Sequence, residues 1–221
     1  MSGTPAGDAQ LPSVDLALHV GQMARFVMSP TLGPEFLATI ARVGEALERS
    51  AVPHALIGGQ AVFFRGYRRF TKDVDVGVGT SVREAVSALV RAGLRPLRGG
   101  RLIDPLSRVE VDLVRLPRVL LPRLAGAERL DLGGGVQGRV IDLESLVALK
   151  LKLGRLQDLA DVVELLKHGA RPEREVILRL ARGLGEDAAA AYDQLLERAR
   201  REAALTPIED QDQDALAEDV P

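Results

Sequence analysis

Residues 56–76 read LIGGQAVFFRGYRRFTKDVDV, and the order of residues in this stretch decides the fold. It begins inside a short apolar strand, His54 to Ile57, that ends in Gly58-Gly59. Two glycines between a strand and a helix let the backbone approach a ligand closely. The unbonded N–H groups at the start of such a helix favour phosphate. Gln60 to Arg65 reads as that short helix, and fifteen residues after Gly58 the chain reaches Asp73. From Asp73 to Val78 the alternation is strict: Val74, Val76 and Val78 take one face of a strand, Asp73 and Asp75 the other. Two neighbouring carboxylates are hard oxygen ligands that suit Mg²⁺ or Mn²⁺, which bind through a few carboxylates and substrate phosphates. A pair of such ions about 3.5–4 Å apart holds the attacking and leaving oxygens in phosphoryl-type transfer.

A second alternating strand, VEVDLV at 109–114, places Val109, Val111 and Leu113 on one face and Glu110 and Asp112 on the other. If it lies beside the first, Asp112 becomes a third carboxylate of the same site. The competing reading is a solvated acid on an edge strand. Glu110 points the same way but sits one pleat step off. A charge in so apolar a strand needs solvent or a cation to offset its desolvation.

Working outward, Ser29-Pro30 to Gly33-Pro34 reads as a turn, with Pro34 suited to the first turn of a helix over about 35–50. Residues 14–27 are ambiguous, with a short helix favoured. On the other side, Ser81 and Glu84 form a capping box for a helix to about Ala92. Arg95–Leu97 and Arg101–Ile103 suggest a hairpin around Gly99-Gly100, and short strands near 128–132 and 136–141 flank Gly133–Gly135. From Asp142 the pattern turns helical, over 142–153, 156–168, 172–182 and 186–204, with Asp142 and Ser145 as start residues and Gly169 and Gly183 as stops. The expected organisation is an arm at 1–13, an α/β domain at 14–141, a helical part at 142–205 and an acidic, disordered tail at 206–221.

Composition narrows the chemistry. With 46% hydrophobic residues in 221, five Phe, two Tyr and no Trp, the core must be aliphatic. The absence of cysteine excludes disulfides, thiolate zinc sites and thiol nucleophiles. Three histidines, at 19, 54 and 168, are too scattered for a zinc site or a Ser–His–Asp arrangement, and His54 reads as structural. No apolar run approaches a membrane span and residues 1–13 are not a signal peptide, so a cytoplasmic protein without membrane partners is expected. Residues 206–221 hold six acids and no base, which leaves the rest of a chain of net charge −2 at +4. Only four of the 29 basic residues are Lys (72, 150, 152, 167), which draws attention to each. Lys150 lies on the stripe Leu143, Leu146, Lys150, Leu153, where it either snorkels to the surface or reaches into a cleft; Lys152 reads as its solvent-facing neighbour. Asp158 and Asp161 share a helix face, with Arg155 three residues before Asp158, a spacing that ordinary helix ion pairs explain equally well. Arg68 and Arg69 serve equally as phosphate binders or as counter-ions to the Asp pair.

Taken together, a glycine pair at a helix start, a spacer, Asp-x-Asp on a strand and a third acid on a later strand resemble the nucleotidyltransferase fold superfamily. RFTKDVDV (69–76) and IDLESLVALKLKLGRLQDLADVVELL (141–166) resemble bacterial abortive-infection-type and minimal nucleotidyltransferase proteins. The resemblance covers roughly residues 52–168. It implies an α+β fold, a mixed sheet with flanking helices followed by a C-terminal helical part. It also implies Gly58, Gly59 and Arg69 at the nucleotide, Asp73 and Asp75 on metal, and Asp112 as metal ligand or base. Lys150 would be the phosphate lysine, with Asp158 or Asp161 the downstream acid. One departure is that Gly59 stands where many members carry Ser.

The expected function is therefore Mg²⁺- or Mn²⁺-dependent transfer of a nucleotide from an NTP to an acceptor: tRNA, a protein side chain, or a small molecule such as an antibiotic. Membership of a toxin–antitoxin pair, with a cognate antitoxin or toxin as partner, goes with the resemblance. Arg-rich stretches at 171–182 and 198–201 allow an RNA surface, although the overall charge is not that of a general RNA binder. The alternative is a catalytically silent member of the same fold that binds a nucleotide or a protein partner.

Overall fold

Pro34 starts the first helix of the computed structural model, which describes residues 33–69 and 71–205. The expected arm at 1–13, the ambiguous segment 14–27 and the acidic tail 206–221 lie outside the described residues. Helix α1 (Pro34–Arg49) places proline where a backbone N–H has no partner to lose and buries Thr39, Ile40, Val43, Ala46 and Leu47. Strand β1 (His54–Leu56) is buried throughout and leads through Ile57 into α2 (Gly58–Phe64). Strand β2 (Asp73–Val78) follows with the boundaries expected from its alternation. Helix α3 (Val82–Arg91) is capped by Ser81, whose side chain accepts from the Glu84 N–H at 3.3 Å.

The short pair β3 (Arg95–Pro96) and β4 (Leu102–Ile103) is the hairpin expected around Gly99-Gly100, and it pairs antiparallel. Strand β5 (Glu110–Arg115) comes next, then a helical stretch that the sequence pattern did not announce: a turn at 118–120 and helix α4 (Leu121–Ala125). It is too short for a helical period, and Pro117 and Pro122 make it read as loop; Leu120 and Leu124 anchor it in the core. Strands β6 (Glu128–Asp131) and β7 (Gln137–Val140) form the antiparallel pair across the three glycines.

The seven strands make one mixed sheet in the order β3-β4-β5-β2-β1-β7-β6. At its centre, β2 runs parallel to β5 and antiparallel to β1, and β1 runs parallel to β7. Four helices close the described part of the chain: α5 (Leu143–Leu153), α6 (Leu156–Lys167), α7 (Arg174–Gly183) and α8 (Ala189–Leu205). Asp142 caps α5, accepting from the Ser145 N–H at 2.9 Å. Gly183 does not stop α7 as expected. It is the last helical residue, kept small by Val119, which a Cβ would approach to 2.6 Å, and the left-handed turn is made by Gly185.

The main aliphatic core gathers Val74, Val76, Val111 and Leu113 from the central strands with Leu47 and Leu89 from α1 and α3, and it includes Leu146, Leu165 and Leu180 from the later helices. A second cluster, around Val147, Val162, Ile177 and Tyr192, lies within the helical part. Among the described residues, no helix is long and apolar enough to cross a membrane.

Candidate active site

Burial of the valine faces fixes how β2 and β5 lie against each other. A slip of one residue would turn every valine outward. The register that results sets Asp75 directly opposite Asp112 and Asp73 opposite Glu110. The three aspartates expected from the alternation thus share one face of the sheet. Glu110 shares it too, but its carboxylate takes an exposed ion pair with Arg101 at 2.7 Å.

The glycine pair lies against this face. Gly58 has φ +58°, and a Cβ on it would fall 1.9 Å from Asp75 Oδ2, so only glycine fits between helix and carboxylate. The Gly59 N–H reaches Asp75 Oδ2 at 3.4 Å. A Cβ on Gly59 would come within 2.7 Å of Thr71 Oγ1 and 3.1 Å of an Arg69 guanidinium nitrogen. Gly59 therefore has no room for the serine common in the resembling proteins while Thr71 stays in place. The Thr71 hydroxyl occupies that space, buried, 3.4 Å from Asp73 Oδ1.

Electrostatically, Asp75 is the stressed member. Burial, then the charge of Asp73, then that of Asp112, push its carboxyl up to about 6, against the easing effect of the Gly59 N–H and of Lys150. A cation would relieve this stress, and the donor set is all hard oxygen, so the residues fit Mg²⁺ or Mn²⁺. Among the described residues no group of three or more acidic or histidine side chains is drawn together closely enough to hold a metal ion.

Lys150 resolves the choice between snorkelling and reaching inward. It is 3% exposed, and its Nζ lies 2.6 Å from Asp161 Oδ2 and 3.2 Å from Asp158 Oδ1. The left-handed Gly154 at the end of α5 folds α6 back so that the last turn of one helix faces the first turns of the next. Arg155 binds Asp158 at 2.6 Å, the pair expected from their spacing, and Arg69 reaches Asp161 at 2.9 Å. Burial acts to raise Asp158, but hydrogen bonds from Arg155 and Lys150 hold it below the usual carboxylate range. Asp158 and Asp161 therefore hold the lysine as well as making local helix pairs. Three cations against two acids leave this cluster one positive charge in excess beside Asp75, which both Lys150 and Arg155 feel.

Other expectations fall away from the site. Arg68 is exposed, and Lys152 pairs at the surface with Glu186 at 2.6 Å. His54 is buried against the Val52 carbonyl, with burial lowering its pKa, and is structural. Sequence reasoning passed over Gln60, which is fully buried with both ends of its carboxamide on the backbone of β2. The available signal was one polar residue in an otherwise apolar helix.

No family model and no curated protein sequence matches the chain. Among solved structures it is similar to an antigenic nucleotidyltransferase-like protein from Paracoccidioides brasiliensis, at 17% identity over 79% of this chain and 93% of that one, with a TM-score of 0.54. Looser likenesses are to the nucleotidyltransferase toxin MenT4 from Mycobacterium tuberculosis (16% identity, 91% and 92% covered, TM-score 0.41) and to ANT(2'')-Ia in complex with adenylyl-2''-tobramycin (16%, 76% and 96%, TM-score 0.39). The chain has the nucleotidyltransferase fold: a mixed seven-stranded sheet with flanking helices.

Proposed function

We propose that the chain is a nucleotidyltransferase, dependent on Mg²⁺ or Mn²⁺, that moves a nucleoside monophosphate from an NTP to an acceptor. The observation that carries this reading is the register pairing of Asp75 with Asp112, with Asp75 packed against Gly58, which concentrates carboxylates on one face of the sheet. Asp73 and Asp75 would hold the ion, with Asp112 completing its shell or serving as base. Bound there, the ion supplies positive charge to phosphoryl oxygens, the chief demand of this chemistry.

The chain's own residues do the rest. Gly58 and Gly59, at the start of α2, would lie at the nucleotide phosphates, and the cluster of Arg69, Lys150 and Arg155 would supply its one excess positive charge nearby. Asp158 and Asp161 keep Lys150 in place. As base, Asp112 takes the acceptor's proton while the new bond to the α-phosphorus forms and the bond to the pyrophosphate oxygen breaks. In this reading the sheet half (14–141) carries the carboxylates and Arg69, and the helical part (142–205) the rest of the cation cluster. It also places the protein in the cytoplasm, where NTPs are abundant, as a candidate toxin–antitoxin component.

The test is incubation with α-labelled NTPs and Mg²⁺ or Mn²⁺, offering tRNA, a lysate protein pool and aminoglycosides as acceptors, for wild type and Asp75→Asn. Label on one acceptor class, lost in the variant, supports the reading. No transfer to any class together with no metal-dependent NTP binding overturns it, and binding without transfer supports a silent partner.

A further inference from the structure

Strand β1 turns away just where β2 begins to carry its carboxylates. Extending the pairing of Leu56 with Val76 by one step sets Ile57 opposite Asp75, and the first half of that exchange is made: the Ile57 N–H donates to the Asp75 carbonyl at 3.0 Å. The second half is not made: the Ile57 carbonyl turns into α2, where it accepts the helix's first bond from Ala61 at 3.2 Å. Without another partner the Asp75 N–H would be left unmatched, at a real cost, and the Asp73 carbonyl would keep only the Thr71 hydroxyl at 3.3 Å. Gln60 meets both. Its Oε1 accepts from the Asp75 N–H at 3.3 Å and its Nε2 donates to the Asp73 carbonyl.

We infer that Gln60 is a positioning residue whose carboxamide completes the β1–β2 ladder beyond the turn and so fixes the spacing and pitch of Asp73 and Asp75. A carboxamide is neutral and carries its acceptor and its donor on separate atoms, so it can serve an N–H and a carbonyl of the same strand at once. Asparagine falls one methylene short of the strand, and methionine fills the volume without either bond. The consequence for metal and transfer rests on the proposed function; the ladder does not.

The experiment compares full-length wild type, Gln60→Met and Gln60→Asn by amide hydrogen exchange, calorimetric Mn²⁺ titration and label transfer. In Gln60→Met the Asp75 amide loses about tenfold or more of its protection relative to Val76. Mn²⁺ affinity falls several-fold. The transfer kcat falls by about tenfold to a hundredfold while KM for the NTP changes little, because the carboxylates are misplaced and the nucleotide contacts are not. Gln60→Asn moves in the same direction and decides the matter should the methionine variant not fold. Unchanged Asp75 protection or unchanged Mn²⁺ affinity in a folded variant overturns the inference. Should wild type transfer no label while Gln60→Met still loses Asp75 protection and Mn²⁺ affinity, the positioning role stands and the transferase reading is what fails.

Discussion

Asp75→Asn should make the metal-free protein more stable. In the folded protein the Asp75 carboxyl is raised from 3.8 to about 6, through burial first and then Asp73 and Asp112. At about 1.4 kcal/mol per unit this is about 3 kcal/mol of unfavourable charge, which solvent at the half-buried carboxylate reduces to about 2 kcal/mol. The sign follows from which state holds the proton. Below about pH 4 both states are protonated and nothing is lost. Between about 4 and 6 only the unfolded chain ionises, so stability falls as pH rises, and above about 6 the whole penalty is present. Asparagine removes the charge, and its Oδ1 can still accept from the Gly59 N–H. Thermal denaturation in EDTA should therefore show Tm higher by about 4–8 °C for the variant at pH 8, and a difference near zero at pH 4. A variant less stable at pH 8, or an equal difference at both pH values, would refute this account of the site's electrostatics.

Four further outcomes follow. Metal binding measured by calorimetry should weaken as pH falls through about 6, because protons compete for Asp75; a pH-independent affinity between 5 and 8 contradicts its role as a ligand. Gly58→Ala forces a Cβ against Asp75 at a left-handed φ and should lower stability by about 1–3 kcal/mol while abolishing transfer; wild-type behaviour would show the helix start is not packed on the carboxylate. Lys150→Met leaves Asp158 to Arg155 and Asp161 to Arg69 and Gln157 and should cost about 2–4 kcal/mol in urea unfolding, and adding Asp161→Asn should recover part of it; no recovery would argue against direct coupling. Asp142→Ala removes the α5 cap and the Arg123 ion pair, for a loss of about 1–2 kcal/mol, and an unchanged midpoint would show the cap is dispensable.

How far residues alone foretell this molecule depends on the range of the interaction. Asp73–Val78 was legible to its boundaries because alternation and a buried valine face are local properties. The Ser81 and Asp142 caps were legible for the same reason, a side chain reaching its own neighbours. The α4 turn was not, since two prolines and five helical residues carry no period, and Gly183 misled because its small size answers Val119, a residue far away in the chain.

The carboxylate face followed from sequence alone: which acids project with which, and that valines would bury the opposite side. What depended on tertiary structure was the pairing of faces and the fate of each charge. Register set Asp75 against Asp112 and gave Glu110 to Arg101, the Gly154 turn delivered Lys150 to two acids, and Gln60 found its strand. Alternation is written in every second residue, whereas a long-range partner is chosen only when the core closes and leaves each buried polar group one place to bond.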